Sequence, residues 1–117
     1  MTDLVACLSS GEKSQSHVQK LVHGADWKKV FIITNEAGKS FNPGEKGELI
    51  VVDFQKPVGE LIEDIAKGLR SKLSDLEVAL NLVSGNGKEH MAILSALMKV
   101  GVGFRLMAVT KEGIREI

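Results

Sequence analysis

Five short apolar runs constrain this chain most: Leu4–Leu8, Val30–Ile33, Leu49–Val52, Val78–Val83 and Phe104–Val109. Each is too short for a buried helix, and none alternates strictly with polar residues, which is how strands covered on both faces read. The segments between them mostly carry helical periodicity. Ser9-Ser10-Gly11 leads into a polar helix from Glu12 to about His23, with Val18, Leu21 and Val22 as a narrow apolar stripe and Gly24 as its stop. A stronger helix begins at Pro57, a residue suited to a first helical position, with Val58, Leu61, Ile62, Ile65, Ala66, Leu69 and Leu73 on one face. Gly68 interrupts that helix at a cost of about 1 kcal/mol relative to Ala. A third helix is expected over Met91–Val100.

The segment Glu36–Gly47 contains Pro43 and three glycines, so it reads as a loop with at most one helical turn. Loops of that length are often lids or binding elements. The tail, Thr110–Ile117, has room for a short edge strand. The order β-α-β-loop-β-α-β-α-β implies crossover connections and helices on both faces of the sheet. The expectation is one α/β domain over 1–117, a Rossmann-like three-layer sandwich with a mostly parallel five- or six-stranded sheet.

Composition narrows the function classes. Fifteen basic and fifteen acidic residues cancel, so no duplex nucleic-acid or membrane surface is expected. Cys7 is the single cysteine, which excludes an internal disulfide framework and cysteine-rich zinc sites and fits a reducing interior. His17, His23 and His90 show no metal-ligand spacing, and neither metal nor cofactor is expected. Without a secretory pattern at the N-terminus or an apolar run of bilayer length, the expected location is the cytoplasm. Four phenylalanines, one tryptophan and no tyrosine give little support for a single-strand stacking platform.

In parallel sheets ligands bind beyond the carboxyl ends of the strands, near the point where strand order reverses. The turns there are Ser9-Ser10-Gly11, Thr34-Asn35, Asp53-Phe54, Ser84–Lys88 and Thr110-Lys111. The fourth combines Ser84, Gly85, Asn86, Gly87 and Lys88 between a strand and a helix, the local order that brings backbone N–H groups to an anion. With strands one and four adjacent, the first and fourth turns would face each other. Both have small hydroxyl residues, glycine and a following lysine, Lys13 or Lys88, which points to a phosphate-bearing ligand. Asn81, an amide within an apolar run, needs hydrogen-bond partners and has a use in fixing this turn.

Other motifs fail. Gly85–His90 begins like a dinucleotide fingerprint but ends in His and follows the fourth strand, and a P-loop would need glycine where Leu82 stands. No nucleophile elbow appears. Cys7 reads as buried and inert, Asp53 as a turn cap, and His90 as a packing or solvent-facing residue unless it serves as an acid/base.

The third helix is apolar around more than half its circumference. Met91, Leu94 and Met98 form one stripe, and Ile93, Leu97 and Val100 another. A sheet needs only one, so the second is expected to make a homodimer contact or to lie under the Glu36–Gly47 loop or the tail.

The sequence Asn81-Leu82-Val83-Ser84-Gly85-Asn86-Gly87-Lys88-Glu89-His90-Met91 resembles the CARF (CRISPR-associated Rossmann fold) pattern, a strand ending in N-x-T-G-G-T-K before a helix with an early Met. Asn81, Gly85, Lys88 and Met91 fit it. Ser84 replaces Thr, while Asn86 and Gly87 depart from it. Ser9-Ser10-Gly11 resembles the family's other binding loop, and Asp53-Phe54 before Pro57 its third-strand ending. The resemblance implies a stand-alone nucleotide-binding module of antiviral defence. It would be a homodimer binding a cyclic oligoadenylate second messenger across its two-fold axis. The sequence stops after the fifth strand, so no attached effector domain is expected. The alternative within the family is a metal-independent ring nuclease. There Lys88 would stabilise phosphate charge, Ser9, Ser10 or Ser84 would donate hydrogen bonds, and His90 would shuttle a proton. Two other classes stay open: binding of an ordinary mononucleotide or phosphate metabolite, and a protein-interaction module with no ligand.

Overall fold

The computed structural model describes residues 2–9 and 12–117. Among them are β1 (Asp3–Leu8), α1 (Glu12–His23), β2 (Val30–Thr34), a single 3₁₀ turn (Glu36–Gly38), β3 (Gly47–Val51), α2 (Val58–Leu69), β4 (Glu77–Asn81), α3 (Gly87–Val100), β5 (Gly103–Thr110) and β6 (Gly113–Glu116). The strands form one six-stranded sheet in the order β3-β2-β1-β4-β5-β6. All neighbours run parallel except β5 and β6, where the tail folds back as an antiparallel edge. The α/β class and the mostly parallel sheet match the expectation.

β1 is the axis of the molecule. Every residue of it is buried, and it pairs with β2 on one edge and β4 on the other, Leu4 standing between Val30 and Ala79. Its side chains divide by parity, as the pleat requires. Val5 and Cys7 join Phe31, Ile33, Val78 and Leu80 in a cluster with Leu61, Ile65 and Leu69 of α2 and Ile93 and Leu97 of α3. Leu4, Ala6 and Leu8 join Val30, Ile32 and Ala79 in a second cluster with Val18, Leu21 and Val22 of α1. Each fully buried leucine or isoleucine contributes roughly 1.5–3 kcal/mol. At the amino end of β1 the buried Asp3 carboxylate accepts from Ser74 N at 3.0 Å and Ser74 Oγ at 3.1 Å, which anchors the α2–β4 connection.

Several boundaries differ from the expected ones. β4 stops at Asn81 instead of continuing to Val83, because Asn81 Oδ1 accepts from Val83 N at 3.2 Å and turns the chain at once. α3 begins at Gly87, four residues before Met91, because a cap at Asn86 starts it inside the glycine turn. β3 spans Gly47–Val51 instead of Leu49–Val52. Pro57 precedes α2 as its N-cap, and α2 ends at Leu69 because Arg70 is extended and Ser71 adopts φ 66°. Leu73 therefore lies beyond the helix, although it still packs on the same core. In the Glu36–Gly47 segment Phe41 is buried against the α1-side cluster, so this connection is pinned at its middle and is not a free lid.

Gly68 has a packing reason. A Cβ there would lie 2.7 Å from Ile50 Cγ2, on a β-branched side chain that cannot swing aside. Gly68→Ala should therefore lose about 1–3 kcal/mol in urea unfolding, despite alanine's better helix propensity. In an Ile50→Ala background the same change should be neutral or stabilising. Equal cost in both backgrounds would show that the contact is not what demands glycine.

Candidate functional site

The strand order reverses beside β1: β2 and β3 extend to one side, and β4, β5 and β6 to the other. The turns leaving β1 and β4 meet there. Ser9 N donates to Ser84 Oγ at 3.0 Å, and Ser84 is fully buried. The expected apposition of the first and fourth turns is thus found, held by a hydroxyl aimed at a backbone amide. Ser10 and Gly11 lie outside the described residues. Lys13 is exposed in the first turn of α1.

The glycine turn is more self-contained than an open anion cradle. Asn86 Oδ1 accepts from Glu89 N at 3.0 Å, and Glu89 Oε1 accepts from Asn86 N at 3.0 Å, a reciprocal capping box. Glu89 thereby brings a nearly buried carboxylate to the positive end of α3. The box leaves the N–H groups of Gly87 and Lys88 as the first-turn donors it does not use. The Lys88 ammonium donates to Phe54 O at 3.0 Å, bridging this turn to the one after β3. Gly85, Asn86, Gly87 and Lys88 are all exposed.

Gly85 is required where it stands. Its φ is 105°, and a Cβ would lie 2.7 Å from Glu89 Oε1 and 3.1 Å from both Cys7 Sγ and His90 Nε2. Gly87 faces no such crowding. His90 Nε2 lies 2.8 Å from Ser84 O. A carbonyl only accepts, so Nε2 carries the proton, and the ring braces the turn instead of pointing away from it. Cys7 is fully buried, and its thiol is pushed up to about 12 by burial and by the Glu89 carboxylate. It holds its proton at neutral pH and is a packing residue, as expected. Asp53 Oδ1 accepts from Gln55 N at 2.9 Å, the turn cap expected of it.

Asn81 is 2% exposed and spends its amide on the scaffold. Nδ2 donates to Met107 O at 2.8 Å and to His17 Nε2 at 3.2 Å, while Oδ1 holds Val83 N. It positions the turn and does not present itself to a ligand. His17 is the member of this constellation that the sequence did not reveal. No ligand spacing marks it, and only the packing of α1 beside β4 and β5 brings it to Asn81 and to Val109 N at 3.4 Å. With two N–H groups pointing at it, Nε2 is an acceptor and the ring is neutral. Burial, then the neighbouring Lys20, lowers its pKa.

Among the described residues no three His, Cys, Asp or Glu groups converge as metal ligands, and no helix is long and apolar enough to cross a membrane. Comparison with models of known protein families and with curated proteins finds no match for this chain.

The neutral His17 clamp makes stability pH-dependent. Its folded pKa lies below the ordinary value of about 6.5, so the folded state takes up the proton less readily than the unfolded chain. This contribution is complete above about pH 6.5 and is lost as pH falls through the lowered folded value. Urea midpoints measured from pH 7.5 to 5 should fall less steeply for His17→Gln than for the parent protein. Parallel profiles would remove His17 from this role.

Proposed function

We propose that this chain is a Rossmann-like three-layer domain that binds a nucleotide second messenger, a cyclic oligoadenylate, at the joined turns of β1 and β4. The observation that carries the reading is the Ser9–Ser84 hydrogen bond at the switch point of the sheet. It supports a single ligand-binding edge built from both turns, where two separate loops would otherwise stand. In this reading the ligand's phosphates meet the free N–H groups of Gly87 and Lys88. The Lys88 ammonium leaves Phe54 O for a phosphate oxygen, and Gly85 and Asn86 give close backbone approach. Ser9 and Lys13 supply the opposite wall. Ser84 and Asn81 act as positioning residues beneath the ligand.

The homodimer in this proposal forms through α3. Met91 and Met98 are 65% and 67% exposed and Leu94 is half-buried, so neither the Glu36–Gly47 loop nor the tail covers this stripe. Pairing two copies along it would bring two glycine turns toward one axis and suit a two-fold symmetric ligand.

Calorimetry with cyclic tetra- and hexa-adenylate tests the reading directly. Saturable binding is expected, weakened at least about tenfold by Lys88→Ala, the scale of one lost charge-assisted hydrogen bond. Intact ligand recovered after hours without metal makes the chain a binder, whereas linear product makes it a ring nuclease. Absence of binding to either ring would remove the messenger reading and leave the exposed α3 face as a protein contact.

A further inference from the structure

β5 outruns its neighbour. It pairs with β4 only over Gly103–Leu106, because Asn81 ends β4, and among the described residues Met107–Thr110 continue with β6 as their one partner strand. On the edge that β4 leaves open, two backbone groups of this overhang are met by side chains. Met107 O accepts from Asn81 Nδ2 at 2.8 Å, and Val109 N donates to His17 Nε2 at 3.4 Å. His17 Nε2 also accepts from Asn81 Nδ2 at 3.2 Å, so one ring nitrogen ties α1 to the ends of both β4 and β5. The overhang leads into Thr110-Lys111, a turn at the carboxyl edge of the sheet.

The direction of each bond is fixed. Asn81 Oδ1 accepts from Val83 N at 3.2 Å while Nδ2 donates to Met107 O, so a half-turn of the amide would set oxygen against carbonyl and N–H against N–H. Val109 N is a backbone donor. His17 Nε2 therefore meets two donors that cannot become acceptors, and a proton on it would bring three N–H groups face to face. No carboxylate offsets that charge. On α1 the cations Lys13 and Lys20 lie one turn to either side, and Lys111 and Arg115 add two more at and beyond the β5–β6 turn. Glu77 of β4 and Glu116 of β6 are bound to Arg105 at 3.0 and 3.1 Å. Glu112 accepts from Thr110 Oγ1 at 3.3 Å, Asp3 of β1 is bound to Ser74, and β2 has no charged residue. Burial, then Lys20, lowers the pKa of the ring below its ordinary 6.5.

We propose that His17 is a proton-operated latch on the carboxyl end of β5. Neutral, the ring holds the overhang to α1 and to Asn81. Protonated, the half-buried ring turns out to solvent and releases Val109 N, while Asn81 keeps Met107 O and Val83 N. The opening is local, because Met107, Val109 and Ile114 still pack on the α1-side cluster. The latch is closed at neutral pH and opens as pH falls through the lowered folded value. It does not depend on what the joined turns bind.

NMR of the isotope-labelled full chain, without ligand, from pH 7.5 to 5 tests the latch. The His17 ring, the Val109 amide and the Asn81 side-chain amide are expected to titrate together, with one midpoint below 6.5. Below that midpoint the hydrogen-exchange protection of Val109 should fall about tenfold or more, the scale of one lost hydrogen bond, while Ile32 of β2 keeps its protection. His17→Gln supplies an amide oxygen that accepts without titrating, so Val109 should stay protected there throughout. A parent protein whose His17 ring titrates with Val109 still protected would overturn the latch, whether or not the variant folds. An equal loss of Val109 protection in folded His17→Gln would assign the opening to another group and overturn it as well.

Discussion

β1 is buried on both faces and paired on both edges, and the rest of the structure follows from that double burial. A strand so placed must obtain every backbone hydrogen bond from its neighbours, and its side chains, divided by parity, pack into two separate clusters. The sequence Asp3–Leu8 meets this with five apolar residues and one carboxylate, Asp3, that is satisfied by Ser74. With β2 on one edge and β4 on the other, the turns after β1 and β4 have to leave the sheet side by side. The Ser84 hydroxyl then secures Ser9 N and joins the two turns.

Polar groups behind that edge form a connected support. Asn81 ties the end of β4 to β5 and to α1 through Met107 and His17, the capping box fixes the start of α3, and His90 braces Ser84 O. Lys88 connects the same turn to Phe54 after β3. The result is a pre-shaped turn whose exposed residues, Gly85 to Lys88, rest on buried partners. Such support lowers the ordering cost of binding. It also narrows the chemistry of the turn. With Glu89 already at the helix N-terminus, an incoming anion has Gly87 N, Lys88 N and a redirected Lys88 ammonium to meet.

Much of this was legible in the sequence where burial alone decides. Short apolar runs marked the strands, three- and four-residue spacing marked α2, and the glycine turn stood out by its composition. Boundaries were less legible because side-chain hydrogen bonds set them. Asn86 and Glu89 start α3 four residues early, Asn81 stops β4, and Ser71 ends the α2 region at positive φ. His17 was invisible because its role depends on the contact of α1 with β4 and β5, far apart in the chain. Gly68 is a defect by helix propensity alone, and the reason for it, Ile50 packed against it, lies in a strand distant in the sequence.

The central claim is that the turns after β1 and β4 act as one ligand-binding edge. The most direct measurement is amide chemical-shift mapping of the isotope-labelled chain during titration with cyclic tetra-adenylate. The account predicts saturating shifts at Ser9 and at Ser84 to Lys88 together, with one common dissociation constant. Shifts confined to one turn, shifts centred on another part of the molecule, or an unchanged spectrum would contradict it.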